Sequence, residues 1–147
     1  MTRPSSTIGK LALAAEALLA LAAARFVLHR TKPADVQQRN HEAAAAGGLS
    51  PGGAHAGRQG AEVAWAITWM SRRLPWRADC LVQALAGQKM LIRRRIASEI
   101  RVGTAKHDDG SFEAHAWLVC GPQVLLGGDI DRFEPLLDAS DPAPRAD

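Results

Sequence analysis

The hydrophobic period changes once along this chain, and that change limits the folds open to it. Up to about Arg94 the apolar side chains recur every three or four residues, which predicts helices. From Ile100 onward they alternate, which predicts strands joined by tight turns. Helices followed by antiparallel strands are typical of an α+β fold, and 147 residues suffice for one modest domain.

The positions of the elements follow from local signals. Helices are predicted at residues 10–31, 35–46, 61–74 and 80–94, and the first is rich in Ala and Leu. Strands are predicted around Ile100 and Val102, from Ala114 to Val119 and from Gln123 to Leu126, with a hairpin turn at 107–110. Aromatic residues are only 5% of the chain, so we expect a thin core whose bulky members are Trp65, Trp69, Trp76 and Trp117.

Glycines and Pro51 crowd the stretch between residues 47 and 60, which predicts a linker without regular structure. The chain then divides into an N-terminal helical segment (1–46), this linker (47–60), a core (61–138) and a disordered tail (139–147).

The apolar stretch from Leu11 to Leu28 has the composition of an export signal or a membrane span. Glu16 in its middle and the basic residues behind it argue against both. We therefore expect a helix docked on protein, no stable membrane insertion and a cytoplasmic location. The face predicted to dock comprises Leu11, Ala14, Leu18, Leu21 and Leu28.

Charge and cysteine usage exclude several classes. A net charge of +3 is too weak and too dispersed to indicate nucleic-acid binding. Two cysteines make no disulfide framework, and the absence of C-x-x-C and H-x-x-x-H spacings argues against zinc, so no metal or cofactor is expected. The arginines at 72, 73, 77 and 93–95 are interpreted as solvated helix ends, with an acidic peptide or protein partner as the alternative.

One cysteine occupies a position suited to chemistry. Cys80 follows Asp79, a good N-cap, so its thiol is expected at a helix start. Unpaired N–H groups there stabilise a thiolate, which is the reactive form of cysteine. The alternative is a small core residue, and a carboxylate at Asp79 opposes a thiolate unless it turns away to cap the helix.

A histidine and an acidic residue follow in the order that nucleophilic chemistry needs. Strand alternation puts His115 on one face with Trp117, looking toward the helix layer or a cleft. Asp129 comes after the next strand and is the candidate to orient the imidazole, and Asp131 competes for that role. Thiol, imidazole and carboxylate in this order are typical of papain-like or transglutaminase-like cysteine sites.

Several segments carry a closer resemblance. From about residue 8 to residue 137 the chain resembles the transglutaminase-like cysteine protease of lasso-peptide biosynthesis, the leader peptidase. The segments that carry it are Arg72–Ala86, Met90–Arg94, Ile100–Gly103 and Phe112–Leu118. The chain departs from the family where members commonly have Gly in place of Arg95 and an acidic residue in place of Val119.

This resemblance implies a papain/transglutaminase-like core, in which a nucleophile helix packs on a small antiparallel sheet. It implies Cys80 as nucleophile, His115 as general base and an acidic residue, here Asp129, as the orienting group. Members remove the leader from a ribosomally made precursor peptide. The implied partners are a separate leader-recognition protein, which suits a stand-alone peptidase, and an asparagine-synthetase-like macrolactam cyclase. Two alternatives stay open: an acyl transferase of the same fold, and an inactive leader-binding or scaffold protein.

Overall fold

A computed structural model describes residues 6–32 and 54–135, together with the single positions 35, 38 and 42. Within them the chain forms an α+β fold, as predicted. The predicted helix at 35–46, apart from those three positions, and the tail at 139–147 lie outside the described residues. The elements are α1 (Thr7–Arg30), α2 (Ala54–Ser71), α3 (Cys80–Arg93), β1 (Glu99–Lys106), β2 (Phe112–Cys120), β3 (Gln123–Leu126) and β4 (Glu134–Pro135).

The four strands form one antiparallel sheet in the order β3-β2-β1-β4. The β1–β2 hairpin has Gly103 opposite His115 and Ile100 opposite Leu118. Its turn lies at the predicted position, where the His107 N–H donates to the Ser111 carbonyl at 2.8 Å. The two-residue strand β4 was not predicted, because so short an edge strand leaves no alternation to detect.

α2 and α3 cover one face of this sheet, α1 packs on those two helices, and all three share one apolar core with the sheet. α3 is central, since it contacts α1, α2 and β2. A glycine permits its close approach to the sheet: a Cβ at Gly87 would lie 2.7 Å from Leu126 Cδ1 and 2.9 Å from Leu118 Cδ2. Buried residues lie on most sides of α3. They are Val82, Ala84, Ala86, Gly87, Gln88, Met90 and Leu91.

The opposite face of the sheet carries a second, smaller apolar cluster. Trp117 and Val119 from β2 and Ala105 from β1 pack there against Phe133. The return segment, residues 127–133 between β3 and β4, crosses this face and brings Phe133 and Ile130 onto it. The sheet is thus covered on both sides, by helices on one and by a return segment on the other.

Helix α1 is docked as predicted, but through a face that only partly matches the predicted one. Its buried stripe is mostly alanine, and small side chains allow helices to pack closely. Leu11 is 64% exposed and Leu18 37% exposed, so the predicted face is partly wrong. By length and composition Thr7–Arg30 is apolar enough to cross a membrane. The residues that it buries against the rest of the protein are Leu13, Ala14, Ala17, Ala20, Leu21 and Ala24.

The predicted linker is wrong at its C-terminal end, because α2 begins at Ala54 rather than after residue 60. Gly57 and Gly60 lie within the helix, where each costs only about 1 kcal/mol relative to alanine. Burial of Ala56, Val63 and Ile67 in the main core offsets that cost.

The prediction that the four tryptophans are the bulky members of the core is also wrong. Only Trp117 is buried, whereas Trp65 is 38% exposed and Trp69 and Trp76 are half-buried. Leucine, isoleucine, methionine and alanine fill the main core instead.

Candidate active site

Cys80 is the first residue of α3 and is half-buried, with a free thiol. Asp79 is the N-cap residue by its extended backbone, but its side chain makes no capping hydrogen bond, contrary to expectation. Gln83 holds the helix start instead. Its backbone N–H donates to the Asp79 carbonyl at 3.0 Å, and its side-chain Nε2 donates to the Ala78 carbonyl at 2.8 Å.

The local consequence concerns the first N–H groups of α3. A helix start has N–H groups without intrahelical acceptors. The exposed Asp79 side chain does not cap these N–H groups, and they lie at the end of α3 at which Cys80 stands.

His115 lies on β2 and is held by the return segment. Its Nε2 is 2.7 Å from the carbonyl oxygen of Gly127. Its ring stacks on Phe133, with centroids 4.7 Å apart and planes inclined by 28°. Trp117 is its neighbour on the same face, at 6.3 Å between ring centroids.

His115 was predicted to look toward the helix layer or a cleft, and it does not lie on the helix side of the sheet. Leu118 and Cys120 on β2 belong to the core shared with the helices. Because strand side chains alternate, His115 and Trp117 point to the other face, where the return segment covers them. Within residues 6–32 and 54–135 no hydrogen bond joins the Cys80 thiol to His115.

The two acidic candidates lie in the turn that starts the return segment. One carboxylate oxygen of Asp129 accepts the backbone N–H of Asp131 at 3.1 Å, and both side chains are exposed. Among the described residues no hydrogen bond connects either carboxylate to His115. The role assigned to Asp129 therefore stays a prediction.

Gly127 is the residue that contacts the His115 ring nitrogen, and sequence reasoning did not select it. Its φ is +120°, and a Cβ there would overlap Trp117 Cβ and lie 3.0 Å from Trp117 Cα. Only glycine suits this backbone. The Gly127-Gly128 pair signalled a turn in the sequence, but a backbone carbonyl leaves no residue-type signal for a contact.

A family model described as the transglutaminase-like superfamily matches residues 11–138. The chain belongs to the transglutaminase-like superfamily. Neither the curated proteins nor the solved structures include a match. Members of this superfamily are usually enzymes of the cysteine-protease type, which fits a cysteine peptidase or an acyltransferase.

The second cysteine of this transglutaminase-like chain lies in a different environment. Cys120 is 7% exposed within the core, and burial raises the pKa of its thiol. A buried, protonated thiol is a poor nucleophile, so Cys80 is the candidate. In the described part of the chain no group of three or more His, Cys, Asp or Glu side chains is placed to hold a metal ion.

Proposed function

We propose that this transglutaminase-like protein is a cysteine peptidase in which Cys80 is the nucleophile and His115 the general base. The observation that carries the proposal is the position of Cys80, the first residue of the central helix in a chain of this superfamily. A thiol at such a helix start is the arrangement in which a thiolate is stabilised.

The proposed reaction has two halves. The His115 imidazole takes the proton of Cys80, and the thiolate attacks the peptide carbonyl carbon. The Cys80 backbone N–H donates to the resulting oxyanion. The imidazolium then protonates the leaving amine, and water hydrolyses the thioester. His115 lies on the sheet face away from the helices and makes no hydrogen bond to Cys80 among the described residues, so the proposal requires the imidazole to come within hydrogen-bond reach of the thiol in the substrate complex.

The proposed substrate is the leader of a lasso-peptide precursor. Support comes from the resemblance carried by the segments Arg72–Ala86 and Phe112–Leu118, which contain Cys80 and His115. On this proposal the protein acts in the cytoplasm, where ribosomal precursors arise. It works beside a leader-recognition protein, and a macrolactam cyclase uses the new amino terminus.

A second candidate is acyl transfer from the same thioester to an amine, which superfamily membership favours equally. Mass spectrometry separates the two reactions. Hydrolysis adds one water to the summed masses of the products, whereas transfer to an amine does not.

The test is precursor processing by the wild type and by Cys80→Ala and Cys80→Ser, with the leader-recognition protein present. We expect leader release by the wild type and none by either variant. Cys120→Ser is the matched control, and it should process the precursor at nearly the wild-type rate because this thiol is buried. Substantial cleavage by Cys80→Ala would exclude Cys80 as nucleophile. A wild type that binds the precursor without cutting it would favour the scaffold alternative.

A further inference from the structure

We propose that the outward face of α1 is a docking surface for an anionic phospholipid membrane, on which this helix lies parallel to the lipid surface. Neither Cys80 nor His115 belongs to α1, so this binding goes beyond the proposed reaction and is measured without it.

The outward face of α1 is apolar without interruption. Seven residues between Ile8 and Ala24 are exposed, and every one of them is apolar. They recur at helical spacing on the side opposite the stripe that packs on α2 and α3. With Phe26 included, this face is about 27 Å long. Its members before Phe26 are Ile8, Leu11, Ala12, Ala15, Leu18, Leu19 and Ala22.

Exposed apolar surface is concentrated on this helix. In the described part of the chain, nine large apolar side chains are exposed, and six of them belong to α1. The six are Ile8, Leu11, Leu18, Leu19, Phe26 and Val27. A contiguous apolar patch of this kind marks a surface that another body covers.

The side chains of this face favour lipid over protein as that body. Alanine, leucine and isoleucine side chains have no hydrogen-bonding atoms, and the helix uses its own backbone groups internally. Protein interfaces carry about one hydrogen bond per 100–200 Å². Acyl chains at the boundary of a bilayer need none, and helices that lie in this boundary present an apolar face of this type.

Positive charge at the end of the face indicates which lipids it meets. Arg25, Arg30 and Lys32 are exposed there, and the Arg30 guanidinium lies 4.3 Å from the ring centre of Phe26. The acidic residue of α1, Glu16, is paired with an arginine of α3 at 2.7 Å, so its charge is already neutralised. Cations beside an apolar helix face are attracted to anionic headgroups.

The same charges disfavour a second copy of this chain as the occupant. In a parallel pair of α1 helices the two basic ends would meet. In an antiparallel pair each basic end would meet the positive N-terminal end of the other helix. Residues 33–53 of the chain are also a poor cover, because their only large apolar side chains are Val36 and Leu49.

The packing of α1 determines how it meets the membrane. By length and composition this helix could cross a bilayer, but it buries residues from Leu13 to Ala24 against the rest of the protein. Its ion pair from Glu16 to Arg94 ties it to α3 as well. Spanning would break these contacts, whereas lying flat keeps them and places only the outward face among the lipids.

The experiment measures flotation of the full-length protein with vesicles of phosphatidylcholine and phosphatidylglycerol, against vesicles of phosphatidylcholine alone. We expect partition into the mixed vesicles to be stronger by about tenfold or more, since each cation near an anionic surface contributes roughly fivefold. This preference should weaken at high salt.

Two pairs of substitutions test the apolar face. Leu11→Gln with Leu19→Gln should lower partition by about tenfold or more, because two side chains that enter the lipid become polar. Leu19 is 71% exposed and Leu11 is also exposed, so thermal unfolding should be unchanged. Phe112→Gln is the matched control, since this residue is 72% exposed but lies on β2, and it should bind vesicles like the wild type.

The charges are tested in the same way. Arg30→Gln with Lys32→Gln should remove most of the preference for phosphatidylglycerol. The matched control replaces two exposed cations of β1, Arg101→Gln with Lys106→Gln, and should keep that preference.

Several results would overturn the proposal. They are a wild type that does not float with either vesicle, equal partition into both, and unchanged partition of the Leu11 and Leu19 double variant. A wild-type dimer in sedimentation equilibrium that this double variant converts to monomers would assign the face to a second copy. Loss of stimulation by the leader-recognition protein in this variant, without vesicle binding by the wild type, would assign the face to that protein.

Discussion

Arg94 and Glu16 form a two-pronged ion pair that joins the end of α3 to the middle of α1. The Arg94 Nη1 and Nη2 atoms donate to the two carboxylate oxygens at 2.9 and 2.7 Å, and Nη1 also donates to the Met90 carbonyl at 2.9 Å. The hydrogen bond from Arg94 is the main cause that lowers the pKa of Glu16, and the pKa of Arg94 is raised in turn. The charge that interrupts the apolar helix is therefore a docking contact.

We expect Glu16→Gln to lower the free energy of unfolding by about 1 to 2 kcal/mol, because a charge-assisted, half-buried pair is lost. Urea unfolding at pH 7 measures this change in the free energy of unfolding. Glu99→Gln is the control, because its ion pair with Arg101 is exposed at the surface, and it should change stability by only a few tenths of a kcal/mol. Equal losses in both variants would contradict the assigned role of the Arg94 pair.

The same pair predicts a pH dependence. The folded-state pKa of Glu16 is lowered, so its stabilisation is fully present above the ordinary glutamate value of about 4.3. It is lost as the pH falls through the lowered folded-state pKa. The stability difference between wild type and Glu16→Gln should therefore shrink below about pH 4.3. A difference that stays constant to pH 3 would contradict the linkage.

Arg95 follows the C-cap of α3 and has a φ of +57°, so we expect its replacement by glycine to stabilise the protein. Its N–H donates to Ile92 and the Ile96 N–H donates to Leu91, the double hydrogen bond that ends helices with a left-handed residue. Arg95→Gly should raise the free energy of unfolding by about 0.5 to 1 kcal/mol. Arg93→Gly, inside the same helix end, should instead lower it by about 1 kcal/mol. Thermal unfolding of both variants measures these two changes in stability. A lower stability of Arg95→Gly than of the wild type would contradict the prediction.

The order of elements could be predicted because its signals are local. The change of period gave the α+β class, and the cap pattern placed the start of α3 at Cys80. The positive φ of Arg95 is a local reason for the glycine expected at this position from the resemblance. The start of α2 was missed because glycine propensity is a weak signal that burial of Ala56 and Val63 overrides.

The environment of His115 could be predicted only in part, because it depends on contacts between distant residues. The alternation of side chains along β2 correctly predicted that His115 and Trp117 share a face of the sheet. It did not predict which face the helices cover. The contact with Gly127 uses a main-chain atom, and every residue has a carbonyl. Sequence patterns identify side chains, so they predicted a carboxylate, Asp129, for the orienting role, and that role stays a prediction.

Gly87 should tolerate no side chain. A Cβ would lie within 3 Å of Leu118 and Leu126, both buried, so Gly87→Ala should lower the free energy of unfolding by about 1 to 3 kcal/mol despite the helix propensity of alanine. Gly57→Ala in α2 is the matched control, since nothing lies within 4 Å of its Cβ. It should raise stability by about 0.5 to 1 kcal/mol. Denaturant unfolding of the two variants measures both signs, and a neutral Gly87→Ala would show that the helix can move off the sheet.

The two cysteines should differ in reactivity before any substrate is known. Cys80 is half-buried at a helix start, whereas Cys120 is buried with a raised pKa. Iodoacetamide at pH 7 should therefore modify Cys80 first, and peptide mapping by mass spectrometry identifies the site. In urea both should react. Faster modification of Cys120 in the folded protein would contradict the assignment of the nucleophile.

Cleavage should be slow with the purified chain and rise sharply when a leader-recognition protein is added. A disordered leader loses conformational entropy on binding, and a tether raises its local concentration into the millimolar range. Several exposed arginines are available to dock the partner or an acidic leader. Arg94 is paired with Glu16 at 2.7 Å, and Arg73 lies 3.7 Å from the Trp69 ring centre. Arg72 and Arg93 are exposed, and Arg93 makes only a longer contact with Glu16, at 3.8 Å.

The experiment compares processing rates with and without the partner, at low and high salt, for the wild type and for Arg72→Gln with Arg93→Gln. Salt near 1 M shortens the screening length to about 3 Å, so the partner's stimulation should fall if these charges dock it. The double variant should lose stimulation in low salt while its rate without the partner is unchanged. Arg101→Gln is the control, because this exposed arginine is paired with Glu99 at 3.2 Å. Full-speed cleavage by the isolated chain, insensitive to the partner, would contradict the dependence, and stimulation that survives the double variant would place docking elsewhere.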